Sequence, residues 1–208
     1  MVQKLKRIEV EERLKDAGVD VFTPREFRDI FGISDNTAST FIKRNLNSGL
    51  FIKLRNNYYT LKDSNPSLYL IANKLYQPSY VSLENALAYY GMIPEVVYTI
   101  TSITTKPTRE FTTPKGVFSY QRIKQIAYTG YSPKRVEGGV VLFADPEKAL
   151  ADYLYFVDLK KVSLNDRLTL KPINKKKLVQ MAKLFRRPSL LRLIERVYAE
   201  QRKPRKIY

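Results

Sequence analysis

The chain has 208 residues and a formal net charge of +17, and it contains neither cysteine nor histidine. Without cysteine the chain can form no disulfide and no thiolate zinc site, and without histidine it lacks the usual general base and the commonest metal ligand. Serine and cysteine triads and histidine zinc sites are therefore excluded, which leaves carboxylate, lysine or tyrosine chemistry.

The composition is typical of a folded chain, because 44% of the residues are hydrophobic and 12% are aromatic. No apolar run approaches the roughly 18 residues that cross a bilayer, and Lys4 to Arg7 leads into an acidic stretch rather than a secretory signal. We expect a cytoplasmic protein without a membrane partner. The chain also lacks the GxGxxG and GxxxxGK[ST] patterns, so we expect no nucleotide cofactor.

The positive charge is concentrated near the carboxyl terminus. Residues 1–62 carry twelve Lys and Arg against eight Asp and Glu, residues 63–159 carry nine against nine, and residues 160–208 carry sixteen against three. The three parts therefore have net charges of +4, 0 and +13. A concentrated positive field favours nucleic acid as a partner, although an acidic protein, a membrane surface or a solvated face fits the same pattern.

The amino-terminal part predicts closely joined helices. Residues 2–17 can form a first helix that ends at Gly18. Thr23-Pro24-Arg25-Glu26 is a capping box with proline in the first turn, and Gly32 ends that second helix. Ser34 is the natural cap of a third helix, which runs from Asp35 to about Ser48. So short a turn forces the two helices to cross steeply, as in a helix-turn-helix.

A hairpin is predicted directly after the third helix. The runs Leu50 to Leu54 and Tyr58 to Leu61 flank Arg55-Asn56-Asn57, whose asparagines tolerate positive φ at a hairpin tip. Helix-turn-helix and hairpin together predict a winged helix-turn-helix DNA-binding domain over residues 1–62.

The third helix has two distinct faces. Ala38, Phe41, Ile42 and Leu46 recur at helical spacing and are predicted to face the core. The other face carries amides, hydroxyls and cations, which can donate to base edges and phosphates of double-stranded operator DNA. A solvated face or a protein-binding module is the alternative. The predicted DNA-binding residues are Ser34, Asn36, Thr37, Thr40, Lys43, Arg44 and Arg55.

Residues 63–66 are predicted to form a linker in which Asn65 caps a further helix opened by Pro66. Residues 67–208 then predict an α+β domain, and the whole chain belongs to the α+β class. Its helices include one capped by Ser82, one that starts at Asp145-Pro146-Glu147, and two basic helices at the end. A small antiparallel sheet is predicted from the β-branched and aromatic runs Val96 to Ile103, Val117 to Tyr120, Gln125 to Thr129 and Val140 to Ala144.

The basic carboxy-terminal helices are a second candidate surface. They are predicted to meet a polyanion, either an acidic protein or a nucleic acid, and a basic run from Arg202 to Lys206 follows them. The candidate polyanion surface consists of Lys175, Lys176, Lys183, Arg186, Arg187, Arg192 and Arg196.

A metal-dependent nuclease is the enzymatic alternative. Glu84, Glu95, Asp145, Glu147 and Asp152 could gather as metal ligands. Helix capping and first-turn positions account for Asp145, Glu147 and Glu84 more simply, and Asp152 can pair with Lys148 one turn earlier. We therefore expect no metal site and no catalytic function.

Two stretches resemble a known family. Tyr80-Val81-Ser82-Leu83-Glu84-Asn85-Ala86-Leu87, continued by Tyr90-Gly91-Met92-Ile93-Pro94-Glu95, resembles the helix that opens the antitoxin domain of AbiEi-type proteins. Pro146-Glu147-Lys148-Ala149-Leu150-Ala151-Asp152 is similar to a later helix start in that family. Together with the predicted winged helix, the resemblance spans roughly residues 5–200.

The resemblance implies the antitoxin of a type IV, abortive-infection toxin-antitoxin system. In that family the amino-terminal domain binds operator DNA and represses its own operon, and the carboxy-terminal domain counters a nucleotidyltransferase toxin. The resemblance therefore implies that the candidate polyanion surface is the antitoxin surface, which meets either an acidic toxin or the toxin's nucleic-acid substrate. The alternative is a stand-alone transcriptional regulator with a carboxy-terminal sensing or interaction domain.

Overall fold

The computed structural model describes residues 5–136 and 139–201. Residues 2–4 of the predicted first helix and the basic run from Arg202 to Lys206 lie outside the described residues. Within the described residues the chain has a mixed α+β fold with eight α-helices, a two-stranded sheet and a six-stranded sheet. None of the described helices combines the length and the apolar character needed to cross a bilayer.

Three helices and a hairpin form the amino-terminal part, which we call the head (residues 5–62). Its elements are α1 (Arg7–Asp16), α2 (Pro24–Phe31), α3 (Asp35–Asn47), β1 (Phe51–Arg55) and β2 (Tyr58–Leu61). The two strands pair in antiparallel fashion, and Asn57 at the tip has φ 64°, as the asparagines there predicted.

The remaining elements form the body (residues 67–201). They are α4 (Leu68–Leu75), β3 (Ser79–Val81), α5 (Leu83–Tyr89), β4 (Ile100–Thr104), β5 (Arg109–Thr113), β6 (Gly116–Arg122), β7 (Tyr131–Val136), β8 (Gly139–Ala144), α6 (Pro146–Asp158), α7 (Lys175–Lys183) and α8 (Pro188–Gln201). The strand order is β5-β6-β4-β3-β8-β7.

The sheet is mixed, so the prediction of a small antiparallel sheet was wrong. β4 pairs with β6 in parallel, and so does β3 with β8, whereas the other three pairs are antiparallel. β6 pairs with β4 in parallel because β5 precedes β6 in the chain but takes the position at the sheet edge. β8 pairs with β3 in parallel because none of the intervening strands β4 to β7 takes the position next to β3 on that side. Local sequence patterns do not reveal such long connections.

Several strand boundaries also differ from the prediction. The strand expected from Val96 starts only at Ile100, and the run Gln125 to Thr129 begins with a short 3₁₀ turn. Three further strands escaped prediction. β3 has three residues, β5 is an edge strand with mostly exposed side chains, and β7 is an edge strand that contains Pro133.

Each part has its own hydrophobic cluster. In the head, the ring centroids of Phe22, Phe27 and Phe51 lie 5.1–5.9 Å apart at the centre of the cluster. The larger cluster fills the body, but it also includes Val21 and Leu54 of the head. The two parts therefore share buried apolar contacts as well as the chain that connects them.

Polar contacts also join the head to the body. Lys74 of α4 forms an ion pair with Glu26 of α2, and Lys115 donates to the carbonyl oxygen of Ser64 at 2.7 Å. Burial raises the pKa of Glu26, but hydrogen bonds from Lys74 and Thr23 outweigh it and hold the pKa below its usual range. The predicted linker is bonded to the head as well, since the Ser64 hydroxyl donates to the Leu61 carbonyl oxygen at 2.9 Å.

Asn65 does not cap α4, contrary to prediction. Ser67 is the N-cap residue, and its hydroxyl oxygen accepts a hydrogen bond from the Tyr69 backbone N–H at 3.2 Å. The helix therefore starts two residues later than Pro66 indicated, and Pro66 itself is buried.

A buried polar network joins the two stretches that carry the family resemblance. Lys148 and Asp152 of α6 are both fully buried and lie 2.6 Å apart, as their i,i+4 spacing predicted. The Lys148 ammonium also donates to the Ala127 carbonyl oxygen at 2.7 Å. Asp152 accepts hydrogen bonds from the hydroxyls of Ser82 at 2.8 Å and Tyr80 at 3.0 Å.

The network changes the roles expected of its members. Ser82 occupies the predicted N-cap position of α5, but its side chain makes no capping bond, and its hydroxyl points to Asp152 and donates to it. Burial raises the pKa of Asp152 despite the nearby Lys148 and the two hydroxyl donors, and burial together with Asp152 raises the pKa of Tyr80.

Removing one partner of this pair should cost far more than removing both. Lys148→Met and Asp152→Leu should each lower the free energy of unfolding by about 3–5 kcal/mol, because each leaves an uncompensated buried charge. The double variant should lose less than either single variant. Urea unfolding of all four proteins at pH 7 measures this, and additive losses would contradict a coupled ion pair.

The Lys148→Met variant should also acquire a pH dependence. Its remaining Asp152, whose pKa burial already raises, loses the cation that opposes the rise. The native state then binds more protons than the unfolded state above about pH 4, so stability falls as pH increases. The free energy of unfolding of Lys148→Met should fall short of the wild-type value by less at pH 5 than at pH 8. An equal shortfall at the two pH values would argue against an ionised Asp152 in the wild-type protein.

Candidate nucleic-acid interface

Local capping fixes the turn between α2 and α3. Thr23 N–H donates to the Glu26 carboxylate at 2.8 Å, and Glu26 N–H donates to the Thr23 hydroxyl oxygen at 3.3 Å, so the predicted capping box is confirmed. Gly32 ends α2 in the left-handed conformation, with φ 61° and ψ 38°. Ser34 then caps α3 by accepting from the Thr37 N–H at 3.2 Å.

Arg28 fastens the two helices to each other. Its guanidinium contacts the Asp29 carboxylate at 2.6 Å and the Asp35 carboxylate at 3.0 Å. Asp35 is the only acid of α3, so this contact offsets the one negative charge that would repel a polyanion at the start of the helix.

The buried face of α3 packs against the hydrophobic cluster of the head. Ala38 and Ile42 are buried in the head cluster, and the Phe41 ring stacks on Phe27 with centroids 5.7 Å apart. Asn45 is also buried, where its amide donates to the Phe41 carbonyl oxygen at 2.9 Å and its carbonyl oxygen accepts from Ser48. The orientation of the helix is therefore set by packing and by hydrogen bonds.

The opposite side presents what we call the α3 face: Asn36, Thr40, Lys43 and Arg44. All four side chains are exposed, and within residues 5–136 and 139–201 neither Lys43 nor Arg44 has an ion-pair partner. Their spacing places them on one side of the helix, so the structure brings together four of the predicted DNA-binding residues.

Ser34 and Thr37 belong to the helix cap. Their hydroxyl oxygens lie 2.8 Å apart, the Ser34 hydroxyl also accepts from the Thr37 N–H, and Thr37 is half-buried. Thr37 therefore presents less of its side chain to a partner than the sequence pattern indicated.

Arg55 does not stand free at the hairpin tip, and this part of the prediction is corrected. Its guanidinium lies over the Tyr58 ring at 4.2 Å and over the Phe111 ring of β5 at 5.0 Å. The register of the hairpin shifts between Lys53 and Arg55, and such a bulge redirects a side chain. Arg55 consequently faces the body, where it contributes to the contact between head and body.

The hairpin exposes a different cation, which the sequence analysis missed. Lys53 of β1 is exposed opposite Tyr59, and Asn56 and Asn57 are exposed at the tip. Regular alternation would place Lys53 and Arg55 on the same side of the strand. The bulge between them is what turns Arg55 toward the body while Lys53 stays exposed.

The second candidate surface is divided by the structure. Three of its seven cations have acidic partners: Lys175 contacts Glu195 at 2.6 Å, Arg187 contacts Asp158 at 2.6 Å, and Arg196 lies 3.8 Å from Glu200. The remaining four are exposed, and in the described part of the chain they have no ion-pair partner. They are Lys176, Lys183, Arg186 and Arg192.

The five carboxylates of the nuclease alternative do not gather. No group of three or more acidic side chains among the described residues could hold a metal ion. Asp145 was predicted to cap α6, but its side chain makes no capping bond and accepts from the Ser132 hydroxyl at 2.8 Å. The others are separate: Glu147 accepts from Asn174 N–H, Glu95 pairs with Arg167, Asp152 pairs with Lys148, and burial raises the pKa of Glu84.

Comparison with known proteins gives no relative, since no protein-family model and no curated protein matches this chain. Assignment of the site therefore depends on its geometry and on the resemblance carried by individual residues.

The capping role of Ser34 can be separated from the α3 face. Ser34→Ala should lower the free energy of unfolding by about 1 kcal/mol, because the Thr37 N–H loses its acceptor. Thr40→Ala, at an exposed position further along α3, should change stability by less than about 0.5 kcal/mol. Urea unfolding of both variants measures this, and equal losses would show that Ser34 is not a stabilising cap.

Proposed function

We propose that the head is a winged helix-turn-helix and that its α3 face binds the major groove of double-stranded operator DNA. The supporting observation is that α3 exposes amide, hydroxyl and cationic groups, of which Lys43 and Arg44 have no ion-pair partner among the described residues. The opposite face of the helix is held by packing against the head cluster. A hairpin directly follows that helix, as in winged-helix proteins. An α-helix fits the major groove of B-DNA, where such donors discriminate between bases.

The side chains of the α3 face suit different parts of a duplex. Arg44 can donate two hydrogen bonds to guanine, and Asn36 can pair with adenine through its amide. Lys43 and the hairpin's Lys53 suit phosphates, which fix position without reading sequence. None of the large hydrophobic residues that are exposed in the described chain belongs to α3, which disfavours a protein-binding module.

We further propose that the protein is the antitoxin of a type IV toxin-antitoxin system. In this proposal it represses its own operon and neutralises a nucleotidyltransferase toxin. The support is the AbiEi-type resemblance, and its two stretches meet physically, since Tyr80 and Ser82 of one bond to Asp152 of the other. They are thus one structural unit rather than two unrelated helix starts. The alternative is a stand-alone winged-helix regulator.

DNA binding by the α3 face predicts a specific salt dependence. Arg44→Ala should weaken binding to a duplex from upstream of the protein's own reading frame by about 1–3 kcal/mol, because a base contact is lost. Lys43→Ala should weaken binding to that duplex and to an unrelated one alike, and should reduce the slope of log affinity against log salt by about one unit.

The matched control is Lys15→Ala, which removes an exposed cation from α1. Fluorescence anisotropy across a salt series measures all three variants. If Lys43→Ala and Arg44→Ala bind the upstream duplex as wild type does, the α3 face is not the DNA-binding surface.

The antitoxin proposal predicts a division of labour between head and body. Lys183→Glu with Arg186→Glu should abolish rescue of growth when the protein is co-expressed with an adjacent nucleotidyltransferase, and should leave affinity for the upstream duplex unchanged. Arg187 is left intact because its ion pair with Asp158 is structural. Loss of DNA binding with full rescue would refute this division, and an isolated gene would favour the stand-alone regulator.

A further inference from the structure

A basic cleft lies between the end of α6 and the outer side of α8. Its volume is about 440 Å³, and its lining includes Val157, Lys160, Arg192, Leu193 and Arg196. Arg192 and Arg196 are one turn apart on α8, so they project from the same side of that helix. Lys160 comes just after Leu159, the C-cap residue of α6, and so lines the cleft from the other element.

The backbone fixes the position of Lys160. Its φ is 58°, and its N–H donates to the Val157 carbonyl oxygen at 2.9 Å, which closes the last turn of α6. The next N–H, that of Lys161, donates to the Phe156 carbonyl oxygen at 3.0 Å. These bonds satisfy carbonyl groups at the negative end of α6 and so reduce its repulsion of an anion.

The positive charge of the cleft is largely uncompensated. Among the described residues that line it, Asp158 is the only acid. Its carboxylate is 9% exposed and is already engaged by the Arg187 guanidinium at 2.6 Å and the Ser189 hydroxyl at 2.9 Å. Glu200 lies 3.8 Å from Arg196, but both side chains are more than half exposed, so solvent weakens that pair.

The chemistry of this surface favours a phosphate backbone over a protein partner. Protein interfaces use arginine, but they are usually anchored by buried apolar and aromatic side chains, and lysine is depleted in them. None of the exposed large hydrophobic residues in the described chain lies on α7 or α8: they are Ile8, Tyr89, Val96, Tyr98, Ile126, Val140 and Leu142. A surface with several cations and no apolar anchor matches a polyanion whose repeated charge is recognised without base contacts.

We propose that Lys160, Arg192 and Arg196 form a site for the phosphate backbone of a nucleic acid, separate from the α3 face. The two guanidinium groups can each donate two hydrogen bonds to phosphate oxygens, and Lys160 supplies a point charge from the opposite wall. The site recognises charge spacing along a strand and reads no sequence. It does not depend on the function proposed for the head, because no residue of the head contributes to it.

The test uses the full chain carrying Lys43→Ala and Arg44→Ala, so that the α3 face contributes little to binding. In this background, Lys160→Asn, Arg192→Gln and Arg196→Gln are combined, since asparagine tolerates the positive φ at position 160. The matched control combines Lys171→Gln, Lys176→Gln and Lys177→Gln, which removes the same charge from exposed positions outside the cleft. The probe is a fluorescent twenty-nucleotide thymidine strand, titrated by anisotropy across a salt series.

The cleft variant should reduce the slope of log affinity against log salt by about two units, because roughly 0.7 unit is lost for each phosphate contact on a single strand. The control should change the slope by less than half as much. Thermal unfolding should match the parent for both, because the Asp158–Arg187 pair is untouched. Equal changes for the two triple variants, or an unchanged slope for the cleft variant, would overturn the proposal.

A second competition experiment identifies the class of partner. Decathymidylate should displace the bound strand from the parent protein at lower concentration than decaglutamate. Preferential displacement by decaglutamate would assign the cleft to an acidic polypeptide and would also overturn the proposal. Neither result bears on the α3 face, whose failure would appear only with the upstream duplex.

Discussion

The buried ion pair of Lys148 and Asp152 is the constraint on which the body depends. Lys148 links α6 to the turn after β6 through the Ala127 carbonyl oxygen, and its ammonium lies 4.6 Å from the centre of the Phe185 ring after α7. Asp152 links the same helix to β3 and to the start of α5. Because both charges are fully desolvated, each contact is required to offset the cost of burying the others.

The backbone around this network is correspondingly constrained. Leu83 is buried with φ 55°, a conformation that a bulky residue adopts only where its surroundings impose it. Its neighbour Ser82 turns its hydroxyl toward Asp152 instead of capping α5. Gly130 has φ 75°, and an added Cβ would lie 3.1 Å from the Lys148 side chain. Residues with unusual backbone or capping geometry thus adjoin the network on two separate segments of the chain.

Sequence patterns were most informative where structure is determined by near neighbours. The cap residues Thr23 and Ser34 and the left-handed Gly32 fix α2 and α3 within a few residues, and all three were predictable. Arg55 was not, because a bulge in the hairpin redirects its side chain toward Phe111. The spacing of Lys148 and Asp152 predicted their contact, but their complete burial depends on elements distant in the sequence.

The same distinction explains the errors in the sheet. β4 and β6 become parallel neighbours only because β5 takes the edge position, and no periodicity within either strand encodes that choice. The short β3 is also incomplete, since it pairs with β8 at a single position. The side-chain amide of Asn73 compensates by bonding both the N–H and the carbonyl oxygen of Leu142. A helix residue thereby supplies hydrogen bonds that a longer strand would provide.

The two positive surfaces differ in chemistry, and this difference bears on their roles. The α3 face mixes amide and hydroxyl groups with two cations, so it combines attraction to phosphate with groups that can distinguish bases. The cleft on α6 and α8 is lined by three cations, and its one carboxylate, that of Asp158, is already engaged by Arg187 and Ser189, so the charge available to a ligand is positive. Shared apolar contacts and the pair of Glu26 with Lys74 connect the head to the body that carries this cleft. Under the two proposals, a nucleic acid bound at one surface would be tethered to the other surface, which would raise its local concentration there without any new contact.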